Sequence, residues 1–142
     1  MQTLSIDLET YSDIDLTKCG VYAYAASPKF EILLLAYAFD DEEVQIVDLA
    51  NGEEVPENVL SAIMNDRLSK TAFNAQFERI CLSRHLNIKL SPNSWQCSAV
   101  QSAILGLPLS LERVALVLGL EQQKLKEGKE LNCRFFIFQV TL

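Results

Sequence analysis

The opening stretch, MQTLSIDLET, constrains this chain more than any other. Leu4, Ile6 and Leu8 alternate with Ser5, Asp7 and Glu9, the period-two pattern of a strand with one apolar and one polar face. Both carboxylates therefore point the same way, about 6.6 Å apart along the strand at a rise of ~3.3 Å per residue. That spacing suits a pair of divalent cations about 3.5–4 Å apart. A lone D-x-E also fits an edge strand with a solvated acidic face, so a second group is needed before the pattern implies chemistry.

With 142 residues, 49% of them hydrophobic, the chain is the size of one domain and can bury a core. Its formal charge of −7 argues against a protein that grips nucleic acid mainly through lysine and arginine. It leaves room for an enzyme that meets phosphates through bound cations, because a metal cluster inverts the sign of an acidic pocket. Cys19, Cys81, Cys97 and Cys133 form no C-x-x-C pair, and His85 is the single histidine, which argues against a zinc knot. No basic-then-apolar leader opens the chain and no apolar run approaches the ~20 residues needed to cross a bilayer. A reduced, cytosolic protein without a membrane partner is expected.

Further along, Tyr11 to Ser27 is expected to be a loop with a short helical turn, ending at Pro28. FEILLLAYAF, Phe30 to Phe39, is too apolar for an exposed edge and predicts an internal strand. EVQIVDL, Glu43 to Leu49, predicts a strand folding back on it, so that the first three strands run antiparallel. Pro56 is placed to open a helix that closes near Asn65. Lys70 to Phe73 predicts a short strand running into a helix, with Phe77, Ile80 and Cys81 at helical spacing. SWQCS predicts another short strand, and two small helices follow, about 99–105 and 111–118. Ser110 is suited to cap the second and Gly119 to stop it. Strands followed by alternating helix and strand indicate an α/β mixed sheet with helices packed on it.

FNAQFER, Phe73 to Arg79, supplies the second group. At helical spacing Asn74 and Glu78 share a face at the start of a helix. If the preceding short strand lies beside the first, Glu78 approaches Asp7 and Glu9. Three carboxylates in a poorly screened pocket repel one another and are tolerable when cations bind. Oxygen ligands without histidine favour Mg²⁺ or Mn²⁺ over Zn²⁺. Simpler roles also exist, since the helix dipole favours an acid in a first turn and Asn74 can serve as an N-cap. His85 reads as surface or helix end, and Cys97 and Trp95 as core.

SIDLET resembles the first motif, D-x-E-T, of the DEDD 3′–5′ exonuclease superfamily, and FNAQFE resembles its second, in which an Asn precedes an acid by four. KCGVYAYAASPKFEILLLAYAFDD, WQCSA and SLERVALVLGLEQQK are similar to the N-terminal proofreading domain of phage-type family A DNA polymerases. The likeness covers about residues 1–131. It implies a ribonuclease H-like fold with a five-stranded mixed sheet flanked by helices. It also implies two-metal hydrolysis at a single-stranded DNA 3′ end, with a polymerase domain as partner in the full-length family member. On that resemblance Asp7 bridges two Mg²⁺ or Mn²⁺ ions, Glu9 and Glu78 complete most of the shell, and Thr10, Asn74 and Phe77 position the terminal nucleotide. The superfamily more often has Asp where this chain has Glu78.

A third motif of the superfamily, Tyr or His followed by an Asp that holds the attacking water, has no match here. The last Asp is Asp66, the last Tyr is Tyr37, and Glu121, Glu127 and Glu130 follow neither a Tyr nor a His at suitable spacing. The end, NCRFFIFQVTL, departs from the family where that motif is due, which predicts a truncation or frameshift with residues 132–142 as a divergent apolar tail. Phe135, Phe136 and Phe138 can complete a sheet or remain exposed. Two functions follow: an impaired exonuclease domain, or a non-catalytic remnant acting as a binding module.

Overall fold

The structure, a computed structural model, describes residues 2–119. The apolar tail, Glu121, Glu127 and Glu130 lie outside them.

The apolar half of the opening alternation is buried, with Leu4 0%, Ile6 3% and Leu8 6% exposed, in strand β1, Thr3–Tyr11. Strand β2, Glu31–Phe39, and strand β3, Gln45–Asp48, follow antiparallel. Strand β4, Ser69–Ala72, runs parallel to β1, and strand β5, Trp95–Cys97, runs parallel to β4. The order is β3-β2-β1-β4-β5, the mixed five-stranded sheet with three antiparallel opening strands that the sequence predicts. β1 is internal to the sheet, paired with β2 throughout and with β4 at Thr3–Ser5, and the D-x-E begins where the β4 pairing ends.

Register builds the core. Leu4 pairs with Phe39, and Leu8 with Leu35, which pairs in turn with Val47; side-by-side partners share a face. That face packs with Val59, Ala62 and Ile63 of helix α2, Glu57–Met64, and with Cys81 and Leu82 of helix α3, Ala75–His85. Pro56 stands directly before α2, as its fixed φ favours. On the opposite side of β1, Ser5 pairs with Ala38 and Asp7 with Ala36, two fully buried small residues. They leave space beside the Asp7 carboxylate that a Val or Leu would fill.

Lys70 also enters this interior. It pairs with Leu4, is 0% exposed, and donates from Nζ to the Asn65 carbonyl at 2.6 Å. Burial pushes its ammonium down from the usual value, partly offset by the Asp66 charge.

Three local expectations are corrected. The segment after β1 is a helix, α1, Leu16–Ala26, kinked at Gly20, rather than a loop with one turn. Asp15 caps it by accepting from the Thr17 amide. Ser110 precedes helix α5, Leu111–Val117, yet makes no side-chain capping bond. Cys97 is not core: it is half-buried at the junction of β5 with helix α4, Ser98–Ile104.

Gly20 adopts φ 76°, ψ 169°, a region that side chains with a Cβ rarely enter. A Cβ there would meet nothing within 4 Å, so the cost of Gly20→Ala is conformational rather than steric. Urea unfolding is expected to give a loss of about 1–3 kcal/mol for that variant.

Candidate active site

The acidic face of β1 is completed from α3, and one residue sets the angle. Asn74 stands between β4 and α3 with φ 86°, ψ 51° and makes no side-chain capping bond. The N-cap role is therefore corrected: Asn74 serves as a left-handed corner, a conformation that Asn tolerates better than most residues. Since it precedes the helix, it does not share a helical face with Glu78 as expected. Its side chain is exposed.

Glu78, in the first turn of α3, turns inward. It is 3% exposed, and its Oε2 is buried with no hydrogen-bond partner. Burial raises its carboxyl well above the ordinary 4.5, and the charges of Asp7 and Cys97 add to that rise. Asp7 and Glu78 thus lie within electrostatic reach of each other, across the join between a strand and a helix far apart in sequence. Glu9 lies on the Asp7 side of β1 by strand alternation, two residues nearer the strand end. Among the described residues, however, no group of three or more His, Cys, Asp or Glu side chains is gathered closely enough to hold a metal ion. The structure brings together Asp7 and Glu78; it does not gather Glu9 with them into the expected threefold cluster.

A cation nevertheless fits this pair. An orphaned carboxylate oxygen deep in the protein, within reach of a second carboxylate's charge, lacks the positive partner that a buried acid needs. Oxygen donors suit a hard ion.

Tyr24 organises the groups around the acids. Its hydroxyl lies 3.0 Å from Thr10 Oγ1, its ring is 6.1 Å from Phe77 and 5.8 Å from Phe30, and its carbonyl accepts from Ser12 Oγ. Thr10 and Phe77, the residues after Glu9 and before Glu78, are therefore tied to one buried side chain on α1. A bulge contributes as well: Glu9 pairs with Leu34 and Thr10 with Ile32, leaving Leu33 as the extra residue on β2, which bends the sheet beside the acids. Sequence reasoning missed Tyr24, whose signal was the aromatic spacing inside VYAYAAS.

Cys81, one turn beyond Glu78, is fully buried, and burial together with the Glu78 charge pushes its thiol up to about 12. Burial also pushes Cys97 up, but the Val100, Ala75, Asn74 and Ala99 amides outweigh it and leave the thiol below its usual value. Exposed His85 at the end of α3 lies low through partial burial, and Trp95 is half-buried against the core.

Across 136 residues the chain is 54% identical to the DNA polymerase of Bacillus phage SP02, taking in 96% of this chain and 21% of that protein. This chain is homologous to a segment of a phage DNA polymerase. It spans about a fifth of the length of the relative it matches. Among solved structures, this polymerase homologue resembles Brucella melitensis NrnC bound to pGG, with a TM-score of 0.61 and 14% identity over 86% of this chain and 55% of that one. It resembles NrnC with bound Mg²⁺ to the same TM-score, 0.61, at 13% identity over 86% of this chain and 56% of that one. The fold is of the ribonuclease H-like type. No family model matches the sequence.

The raised Glu78 carboxyl gives the polymerase homologue a pH signature. Its folded state keeps this proton above 4.5, where the unfolded chain releases it. The folded state then binds more protons, so stability falls as pH rises from the ordinary glutamate value through the raised one. Urea titrations from about pH 4.5 to about pH 8 are expected to show that fall in the wild type and a smaller one in Glu78→Gln.

Proposed function

We propose that this chain is a metal-dependent 3′–5′ DNA exonuclease domain of the phage polymerase type, acting in the cytoplasm on single-stranded 3′ ends exposed during proofreading. The observation that supports it most is the buried Glu78 carboxyl, within electrostatic reach of Asp7 and with an unpartnered oxygen, carried on a ribonuclease H-like sheet. Residues 1–131 form the exonuclease-like unit in this reading, residues 132–142 are a divergent tail, and the partner is a polymerase domain.

Asp7 and Glu78 would hold Mg²⁺ or Mn²⁺, with Glu9 on the same strand face as the further acid. Such a cation activates water and stabilises charge on the leaving 3′ oxygen. Glu78, which burial keeps protonated, would act as a ligand only after releasing that proton to solvent, which a cation's positive charge would favour. Thr10, fixed by its bond to Tyr24, offers a hydroxyl to the terminal nucleotide. Asn74 does so with its amide, and Phe77 contributes a half-buried ring at the site's edge. The pGG and Mg²⁺ named with the NrnC structures are the ligand classes this reading assigns here. Among these 142 residues no Tyr or His is followed by an Asp after Leu120, so this reading expects slow turnover from these residues alone.

One observation favours a second reading, a non-catalytic binding module of the same fold: no three acids gather among the described residues. A 3′-ladder assay on single-stranded DNA with Mn²⁺ separates the two. Slow shortening from the 3′ end, abolished by Asp7→Ala, is expected for the nuclease. Mn²⁺ at about 100 times its Kd is also expected to stabilise the wild type by about 2.7 kcal/mol, and Asp7→Ala by much less. Absence of both effects would leave the binding module.

A further inference from the structure

We propose that Tyr22, which meets Gln76 across the seam between α1 and α3, is a stacking platform for an upstream base of the DNA strand whose 3′ end enters the acidic site. This inference rests on the nuclease reading above and extends it from the terminal nucleotide to the strand behind it.

Tyr22 is 61% exposed, so its ring contributes little to the core. Gln76 Nε2 donates to the Tyr22 hydroxyl at 3.5 Å, and the charge of Arg79 bears on the same phenol. Arg79 is itself anchored, donating from Nη1 to the Leu90 carbonyl at 3.1 Å. A rigid aromatic ring with few rotatable bonds loses little entropy when it binds a flat partner. Bases stack on such rings regardless of sequence.

The placement fits a strand leading to the acids. Gln76 and Arg79, three apart on α3, share a face and bracket Phe77 and Glu78. Tyr24, two residues after Tyr22, bonds Thr10 and meets Phe77, so the platform and the site belong to one packed unit. About one helix diameter, ~10 Å, separates the outer face of α3 from the inward face that carries Glu78. In a chain of net charge −7, an anchored guanidinium beside an exposed ring also offers a phosphate the positive charge that most of this surface lacks.

The test is binding of a labelled oligothymidylate of eight nucleotides, followed by fluorescence anisotropy with Ca²⁺ in place of Mn²⁺ to suppress cleavage. Tyr22→Ala is expected to weaken binding between about 5-fold and 150-fold. Tyr22→Phe, which keeps the ring, is expected to weaken it less than about 3-fold. Thymidine 5′-monophosphate, too short to span from the acids to the ring, should bind all three proteins alike. Because Tyr22 is exposed, equal thermal midpoints check that the variants fold. If the wild type binds the oligonucleotide and Tyr22→Ala binds it equally well, the platform is overturned while the nuclease reading stands. If the wild type binds neither ligand, the nuclease reading fails and takes the platform with it.

Discussion

Two carboxyl groups within reach of each other's charge, one of them buried, form the tension around which this molecule is arranged. Asp7 comes from the middle of a strand that is held against β2 along its whole length and against β4 just before Asp7. Glu78 comes from the first turn of a helix whose inner residues, Cys81 and Leu82, are locked in the core. The sheet and the helix are therefore stabilised by apolar burial elsewhere, and that stability is what holds the acids in opposition. A protein selected for stability alone would place a neutral or apolar side chain at Glu78.

The strand alternation of β1 was legible because its period of two coincides with a real difference in burial on its two faces. The apolar run of β2 was legible because strands buried inside a sheet read as continuous hydrophobic stretches. Resemblance then linked two short motifs that no local rule connects. The remainder depended on tertiary context. Asn74 has a spacing from Glu78 that suggests one helical face, but its left-handed backbone depends on how β4 is joined to α3. Lys70 reads as an ordinary surface charge inside KTAF, whereas its aliphatic stem lies in the core and its ammonium reaches back to the Asn65 carbonyl. Nothing in the neighbouring residues announces that a carbonyl will be waiting there.

Cys97 illustrates the same limit in chemical terms. In sequence it has no basic neighbour, and an inert, buried thiol was the natural expectation. In space its sulfur is met by amides from α3 and α4, so oriented peptide dipoles supply what side chains do not. The region around Glu78 thus contains two groups displaced in opposite senses, an acid that holds its proton and a thiol that yields one more readily. Their separation is set by backbone geometry, which composition cannot reveal.

Among the described residues the sheet ends on β3 and β5, strands of four and three residues. Neither offers a long ladder of unpaired amides to a neighbouring molecule, and the acidic run Asp40, Asp41, Glu42 and Glu43 leads directly into β3. Short borders with like charge beside them discourage one copy from templating the next. The long apolar β2, the segment best suited by composition to fibril formation, is thereby shielded on both flanks for as long as the sheet stays intact.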